Sequence, residues 1–133
     1  MIKEIKRDYY LEQLINREGN GLIKIVTGIR RCGKSYLLRT LFKNHLLENG
    51  VDEKHIIEMA FDLFDNIEYR DPKIFYPWAK EQLQDNKKYY FLLDEVQLLD
   101  EFVSVLNGLA DKKNCDVFVT GSNAKFLSRD IAT

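Results

Sequence analysis

The chain is predicted to form an α/β fold, a three-layer α/β/α sandwich around a mainly parallel sheet. Four short apolar runs with strand character alternate with helical patterns, and no repeat, low-complexity tract or linker interrupts them. The 133 residues suffice for one ordinary domain but not for two. Because right-handed crossovers join successive parallel strands, the connecting helices cover both faces of the sheet. We therefore expect a single domain over residues 1–133.

The first half of the chain predicts a helix, a strand and a second helix. Apolar residues at helical spacing over residues 3–17 predict a leading helix, which the turn-forming residues 18–21 end. Residues 22–26 form a short β-rich run, and residues 37–46 show an amphipathic helical pattern that closes near residues 49–50. A glycine-containing loop therefore lies between the first strand and the second helix.

The second half repeats this alternation. Strands are predicted at residues 55–61, 89–93 and 116–120, and helices at residues 72–84 and 101–111. The run at 89–93 is apolar throughout, which is typical of a central parallel strand covered on both faces. An acidic, irregular stretch follows the second strand, and a final helical piece follows the fourth.

Composition excludes several classes of protein. With 20 basic and 21 acidic residues, the net charge of -1 provides no overall attraction to nucleic acid. No apolar run approaches the roughly 18 residues that span a bilayer, and the first residues lack the apolar core of a secretion signal. Cys32 and Cys115 form no metal-ligand pair, which suits a reducing compartment. We expect a cytoplasmic protein without membrane association.

The first chemical motif is GIRRCGKS at residues 28–35, which matches the phosphate-loop (Walker A) pattern G-x-x-x-x-G-K-[ST] at every defined position. Glycines let successive backbone N–H groups face the phosphates, Lys34 reaches the β and γ phosphates, and the Ser35 hydroxyl is a magnesium ligand. For Arg31, a solvated loop face is the alternative to a phosphate contact. The residues predicted to bind the nucleotide are Gly28, Arg31, Cys32, Gly33, Lys34, Ser35 and Tyr36.

The second motif is a pair of carboxylates, Asp94 and Glu95, at the end of the apolar strand. Ligands of open α/β sheets bind at the carboxyl ends of the strands. Asp94 is predicted to hold magnesium together with Ser35, and Glu95 to polarise the water that attacks the γ-phosphate. A solvated turn is the alternative, but the preceding phosphate loop favours the functional interpretation.

A third feature is the polar sequence after the fourth strand, where Ser122 or Asn123 is a candidate γ-phosphate sensor. Either side chain could instead cap a helix beginning near residue 124. The predicted catalytic residues are therefore Glu95, Lys34 and Ser122.

Other motifs distinguish classes of phosphate-loop protein. A GTPase would carry a D-x-x-G pattern at its magnesium aspartate and an N-K-x-D guanine reader, and neither is present, so ATP is the expected nucleotide. The Asp94-Glu95 pair instead resembles that of the additional-strand ATPases, in which the sensor strand lies between the Walker A and Walker B strands. This resemblance implies the sheet order 1-4-3-2.

Four segments carry a closer resemblance: residues 6–11 (KRDYYL), 27–35, 93–97 (LDEVQ) and 120–122 (TGS). They are similar to those of a prokaryotic AAA+-like P-loop ATPase family, whose members have an N-terminal ATPase domain and a C-terminal domain of uncertain function. The resemblance implies Mg-ATP binding, catalysis by Glu95 and a sensor near Ser122. The fifth strand and a later arginine-bearing segment of the family have no counterpart, so we expect a fragment of a longer protein.

The expected function is ATP hydrolysis that drives or switches contact with a protein or nucleic-acid partner through a missing C-terminal region, in a possible homo-oligomer. Turnover should be slow because the sequence offers no counterpart of an arginine finger, and such a residue raises the rate of hydrolysis by about a thousandfold or more. The alternative is a nucleotide-gated binding or signalling module with little turnover. A phosphotransferase is a weaker third option.

Overall fold

The fold follows from a computed structural model that describes residues 2–27 and 31–121. The helices are α1 (Ile2–Asn16), α2 (Arg31–Tyr36), α3 (Lys43–Glu48), α4 (Pro72–Glu81) and α5 (Phe102–Ala110). The strands are β1 (Lys24–Val26), β2 (Ile56–Ala60), β3 (Tyr89–Asp94) and β4 (Cys115–Thr120). Three short 3-10 helices span Glu53–His55, Phe64–Arg70 and Val96–Leu98. The final helical piece predicted after β4 lies outside the described residues.

The four strands form one parallel sheet in the order β1-β4-β3-β2. This confirms the predicted order. In the register of the sheet, Val26 of β1 lies beside Thr120 of β4, and Ala60 of β2 lies beside Asp94 of β3. The carboxyl ends of all four strands therefore meet at one edge, where ligands of open α/β sheets bind.

The core consists of two apolar layers, one on each face of the sheet. Because successive residues of a strand point to opposite faces, Phe91 and Val117 enter one layer, while Leu92 and Phe118 enter the other. Helices α4 and α5 cover the first layer, and α1 and α3 cover the second. Every residue of β3 and β4 is buried. The predicted three-layer sandwich is confirmed.

The second helix departs from the pattern predicted for it. A π-helical turn, Leu37–Phe42, joins α2 and α3 without a break, so the helical segment runs from residue 31 to residue 48. A π turn bonds residues five apart, and both Leu37 and Phe42 remain buried against the sheet. The tertiary packing thus accommodates an extra residue in the turn that follows the phosphate-loop motif.

The stretch after β2 also differs from its prediction as irregular. It forms the 3-10 helix Phe64–Arg70, and α4 follows after Asp71, whose side chain accepts a 2.9 Å hydrogen bond from the Lys73 N–H. Pro72 occupies the first turn of α4, where its missing N–H costs no hydrogen bond.

A buried ion pair anchors β1 to β4. Lys24 donates to the carboxylate of Asp116, and the two side chains are 2% and 3% exposed. The other oxygen of Asp116 accepts from the backbone N–H of Gly19 at 2.9 Å and lies 3.4 Å from the Lys88 ammonium. A buried pair of this kind is stable only while both partners remain, because either charge alone would be left unsolvated.

Candidate nucleotide site

The structure brings three of the predicted site residues together at the carboxyl edge of the sheet. Lys34 and Ser35 lie on α2, and Asp94 ends β3. Lys34 is 7% exposed and its Nζ donates to the Gly121 carbonyl at 3.0 Å. Each of these polar groups has a partner within the protein. Tyr36 is exposed at the end of α2.

Ser35 and Asp94 are in direct contact. The Ser35 hydroxyl donates to Oδ2 of Asp94 at 2.6 Å, although 59 residues separate the two along the chain. Asp94 is 3% exposed. Hydroxyl and carboxylate oxygens are the donors that magnesium prefers, and the structure places this pair where the sequence predicts a metal site.

The second oxygen of Asp94 is held by a threonine. The hydroxyl of Thr120, at the end of β4, donates to Oδ1 of Asp94 and accepts a 2.9 Å hydrogen bond from the backbone N–H of Glu95. Thr120 is fully buried. One hydroxyl therefore fixes both the Asp94 carboxylate and the backbone of the next residue.

Glu95 has an unusual backbone conformation. Its φ of 55° lies in the left-handed region, which costs a non-glycine residue of the order of 1–3 kcal/mol unless its surroundings hold it there. Two contacts do so: the Thr120 hydroxyl accepts from its N–H, and Oε1 accepts from Gln97 Nε2 at 2.9 Å. These contacts hold both the backbone and the side chain of Glu95 in defined positions.

Thr120 belongs to the TGS segment of the resemblance, but the sequence predicted no role for its side chain. Its contacts follow from the sheet. The predictions for this segment fall on Ser122 and Asn123, which lie outside the described residues. The sheet order was the available signal, because it places the end of β4 beside the end of β3. A hydroxyl residue at the last position of β4 could have been predicted to contact Asp94.

Other predicted site residues are described only in part. Gly28 lies outside the described residues, and the structure describes only the helical backbone of Arg31 and Cys32. Gly33 is buried in α2, one residue before Lys34.

A cavity of about 240 Å³ lies between α1 and the end of β1. Val26 and Leu37 form apolar parts of its wall. Gln13 of α1 and Arg17, which directly follows α1, contribute polar groups to the lining. The remaining lining residues are Tyr9, Tyr10, Leu14, Ile25 and Thr27. Because the lining residues Thr27 and Leu37 flank the phosphate-loop motif in the chain, the cavity adjoins that motif. A lining that mixes apolar and polar groups suits an organic ligand with polar edges.

Both histidines of the chain lie beside carboxylates. His45 lies 3.1 Å from Glu18 and His55 lies 3.0 Å from Asp85. Burial raises the pKa of the Cys115 thiol to about 11, so it remains protonated at neutral pH. Within residues 2–27 and 31–121, no three His, Cys, Asp or Glu side chains form a metal-binding group. No helix in that part of the chain is long and apolar enough to cross a membrane.

Comparison with known proteins identifies the relatives of the chain. The sequence model of the AAA domain family matches residues 20–133. An uncharacterized protein of Haemophilus influenzae is 35% identical over 130 residues, which cover 97% of this chain and 32% of that protein. An uncharacterized protein of Methanocaldococcus jannaschii is 28% identical over 135 residues, or 98% of this chain and 27% of that protein. The chain thus spans about a third or less of these relatives. No solved structure matches it.

Proposed function

Since the chain belongs to the AAA domain family, which comprises nucleotide-binding, ATPase-like domains, we propose that it binds Mg-ATP and hydrolyses it to switch contact with a macromolecular partner. The observation that carries the proposal is the connected set of hydrogen bonds from Ser35 through Asp94 and Thr120 to Glu95. These bonds join a phosphate-loop serine to the Asp94 carboxylate and to the backbone of Glu95 at the sheet edge where nucleotides bind.

In this proposal the phosphates lie against the start of α2. The nucleotide-binding set is Gly28, Arg31, Cys32, Gly33, Lys34, Ser35 and Tyr36. Lys34 exchanges the Gly121 carbonyl for the β and γ phosphates, where its ammonium meets full negative charge. The buried position of this lysine supports the assignment, because a buried ammonium requires an acceptor within reach.

Magnesium would be held by Ser35 and Asp94, whose oxygens are already 2.6 Å apart. When bound, the ion neutralises the charge that develops on the phosphates. Glu95 orients and polarises the attacking water, and Thr120 fixes the backbone from which the Glu95 side chain extends. Ser122 is the proposed sensor of the γ-phosphate.

The cavity beside α1 is the proposed site of the adenine base. Tyr10, Gln13 and Arg17 supply hydrogen-bonding groups at its rim, and Val26 and Leu37 supply the apolar wall on which a flat ring can pack. The cavity adjoins Thr27, so one nucleotide can reach from it to Lys34 and Ser35.

We further propose that residues 1–133 form one ATPase domain of a longer protein. Two relatives match this chain over 32% and 27% of their own lengths, which supports a larger architecture. The partner, a protein or a nucleic acid, would then contact a region beyond this domain, and a homo-oligomer is compatible with the proposal.

Calorimetric titration with Mg-ATP and Mg-GTP tests the nucleotide site. We expect the native chain to bind ATP selectively and Lys34→Ala to lose binding by about tenfold or more, since a charge-assisted contact to phosphate is removed. Lys54→Ala is the matched control, because Lys54 is an exposed lysine beside β2. Equal ATP affinity in the native and Lys34→Ala proteins, or no ATP binding by either, would contradict the proposal.

A nucleotide-gated module with little turnover is the second candidate. The contacts that favour it are those of Lys34 with Gly121 and Ser35 with Asp94, because ATP must replace both and so change the site by occupancy alone. Phosphate release by native protein and by Glu95→Gln distinguishes the two functions. Turnover that falls while ATP binding persists indicates hydrolysis, whereas equally low turnover in both proteins indicates the gated module.

A further inference from the structure

The 3-10 helix after β2 exposes apolar side chains that a folded domain usually buries. Phe64 is 82% exposed, and Leu63 and Ile67 are 50% and 48% exposed. Large exposed apolar groups that lie close together commonly mark an interaction site. Leu63, Phe64 and Ile67 are named here the apolar stripe.

The geometry of the 3-10 helix separates this stripe from an acidic one. A 3-10 helix has three residues per turn, so residues three apart share a side of the helix. Phe64 and Ile67 therefore lie on one side, and Asp65 and Glu68 lie on the next. Asp62 precedes them in the chain and is also exposed. Asp62, Asp65 and Glu68 are named the acidic stripe.

The third side of the same helix faces inward and holds the segment in place. Asn66 donates to the Ala60 carbonyl at 3.0 Å, and the Tyr69 ring packs against Trp78 with centroids 5.6 Å apart. Arg70, the last residue of the helix, shares the side of Phe64 and Ile67 by the same spacing, and its Nε donates to the Phe61 carbonyl at 2.9 Å. The apolar and acidic stripes are thus presented on an anchored segment, which lowers the entropic cost of binding.

The acidic stripe is without counter-charges among the described residues. None of its three carboxylates lies within ion-pair distance of a described lysine, arginine or histidine, and Arg70 is turned to a backbone carbonyl. The surface therefore combines exposed apolar area with uncompensated negative charge. A complementary surface would present apolar groups beside positive charge.

We propose that the apolar and acidic stripes together dock a basic, amphipathic segment of a partner polypeptide. Nucleic acid and anionic membranes do not fit, because their phosphates would meet the three carboxylates. A second copy of this chain docked through a twofold axis would bring the acidic stripes together, which is also unfavourable. The segment is tied to the nucleotide site, since the Phe61 N–H donates to the Asp94 carbonyl at 3.0 Å.

This docking surface rests on the proposed function and adds to it a second contact, made by the domain itself, so its test uses the chain without nucleotide. Failure of docking is then distinct from failure of ATP binding. The probe is a fluorescent amphipathic helix of about 18 leucine and lysine residues, long enough to form in isolation. Its affinity is measured by fluorescence anisotropy. A peptide with glutamate in place of lysine is the charge control.

We expect the lysine peptide to bind and Phe64→Ser to weaken binding by about tenfold or more, as loss of a central aromatic anchor does. Ile67→Ser provides a second variant. The double variant Asp65→Asn with Glu68→Gln should weaken binding several-fold. Added salt should weaken binding to the native chain by a similar factor, because it screens the same charge attraction. Leu47→Ser is the control, since Leu47 is an exposed apolar residue of α3 whose loss should leave affinity unchanged.

Circular dichroism melting curves verify that each variant is folded. The proposal is overturned if the lysine peptide does not bind, if both Phe64→Ser and Ile67→Ser bind it as the native chain does, or if the glutamate peptide binds equally well. Sedimentation tests the competing occupant. A dimer of the native chain that Phe64→Ser abolishes would assign the stripes to a second copy and would also overturn the proposal.

Discussion

Thr120→Val removes one hydroxyl and keeps the shape of the side chain, and we expect it to destabilise the fold and the candidate site together. The fully buried Thr120 hydroxyl serves the Asp94 carboxylate and the Glu95 N–H. Valine can serve neither. Each buried polar group that loses its partner costs about 1–3 kcal/mol. Because Asp94 retains the Ser35 hydroxyl, we expect the free energy of unfolding to fall by about 2–4 kcal/mol for the two groups.

Urea denaturation measures this change, with Thr120→Ser as the matched control. Serine keeps the hydroxyl and loses one methyl group, which costs about 1 kcal/mol. The difference between the valine and serine variants, with about 1 kcal/mol added for the methyl group that serine loses, therefore gives the contribution of the two hydrogen bonds. If valine is as stable as serine, the hydroxyl does not hold Asp94 and Glu95 as the structure indicates.

The same pair of variants tests the role of Thr120 in the proposed hydrolysis. Without its anchor, the left-handed backbone at Glu95 can relax, and a misplaced catalytic group costs about tenfold or more in rate. We expect Thr120→Val to lower kcat by this amount and to change Mg-ATP affinity less. Thr120→Ser, which keeps the hydroxyl, should retain the native kcat. Equal kcat for the native and valine proteins would refute a positioning role.

Three further predictions concern groups outside the nucleotide site. Asp116→Asn should lower the free energy of unfolding in urea by about 3–5 kcal/mol, because it leaves the buried Lys24 ammonium without its counter-charge, and Lys24→Met with Asp116→Leu should cost less. In a Cys32→Ser variant, which leaves Cys115 as the sole cysteine, the folded chain should react with a thiol reagent at pH 8 far more slowly than the urea-unfolded chain, since burial raises the pKa of the Cys115 thiol to about 11. The hydrogen bond from His55 lowers the Asp85 pKa below its ordinary value of 3.8. The ionised Asp85 carboxylate therefore stabilises the fold above that pH, and this stabilisation is lost as the pH falls through the pKa of the folded state. Asp85→Asn should therefore flatten the acid side of the stability curve measured by urea denaturation.

Local sequence patterns were sufficient to predict the main helices and strands and to name candidate residues at the carboxyl edge of the sheet. Apolar runs without alternation mark β3 as a central strand, and all of its residues are buried. Lys34, Ser35 and Asp94 could be named from the sequence because their spacing and their neighbours are local features. The strand order β1-β4-β3-β2 followed from the resemblance to additional-strand ATPases, and the structure agrees with it.

Only the tertiary structure decided the contacts between residues far apart in the chain. The bond between Ser35 and Asp94 spans 59 residues, and the pairing of Lys24 with Asp116 spans 92. Thr120 acts on Asp94 and Glu95 because β4 lies beside β3, and no short pattern encodes that neighbour.

The acidic stretch after β2 shows the same division between sequence and tertiary structure. Its acidic composition is visible in the sequence, but its helical conformation depends on contacts with other parts of the chain. Asn66 bonds to the end of β2, Tyr69 packs against Trp78 of α4, and Arg70 bonds to the Phe61 carbonyl. The sequence by itself therefore determined the main strands and helices and the candidate side chains of the site. The tertiary structure decided which of those side chains meet, because long-range hydrogen bonds and strand neighbours arise only when the sheet has formed.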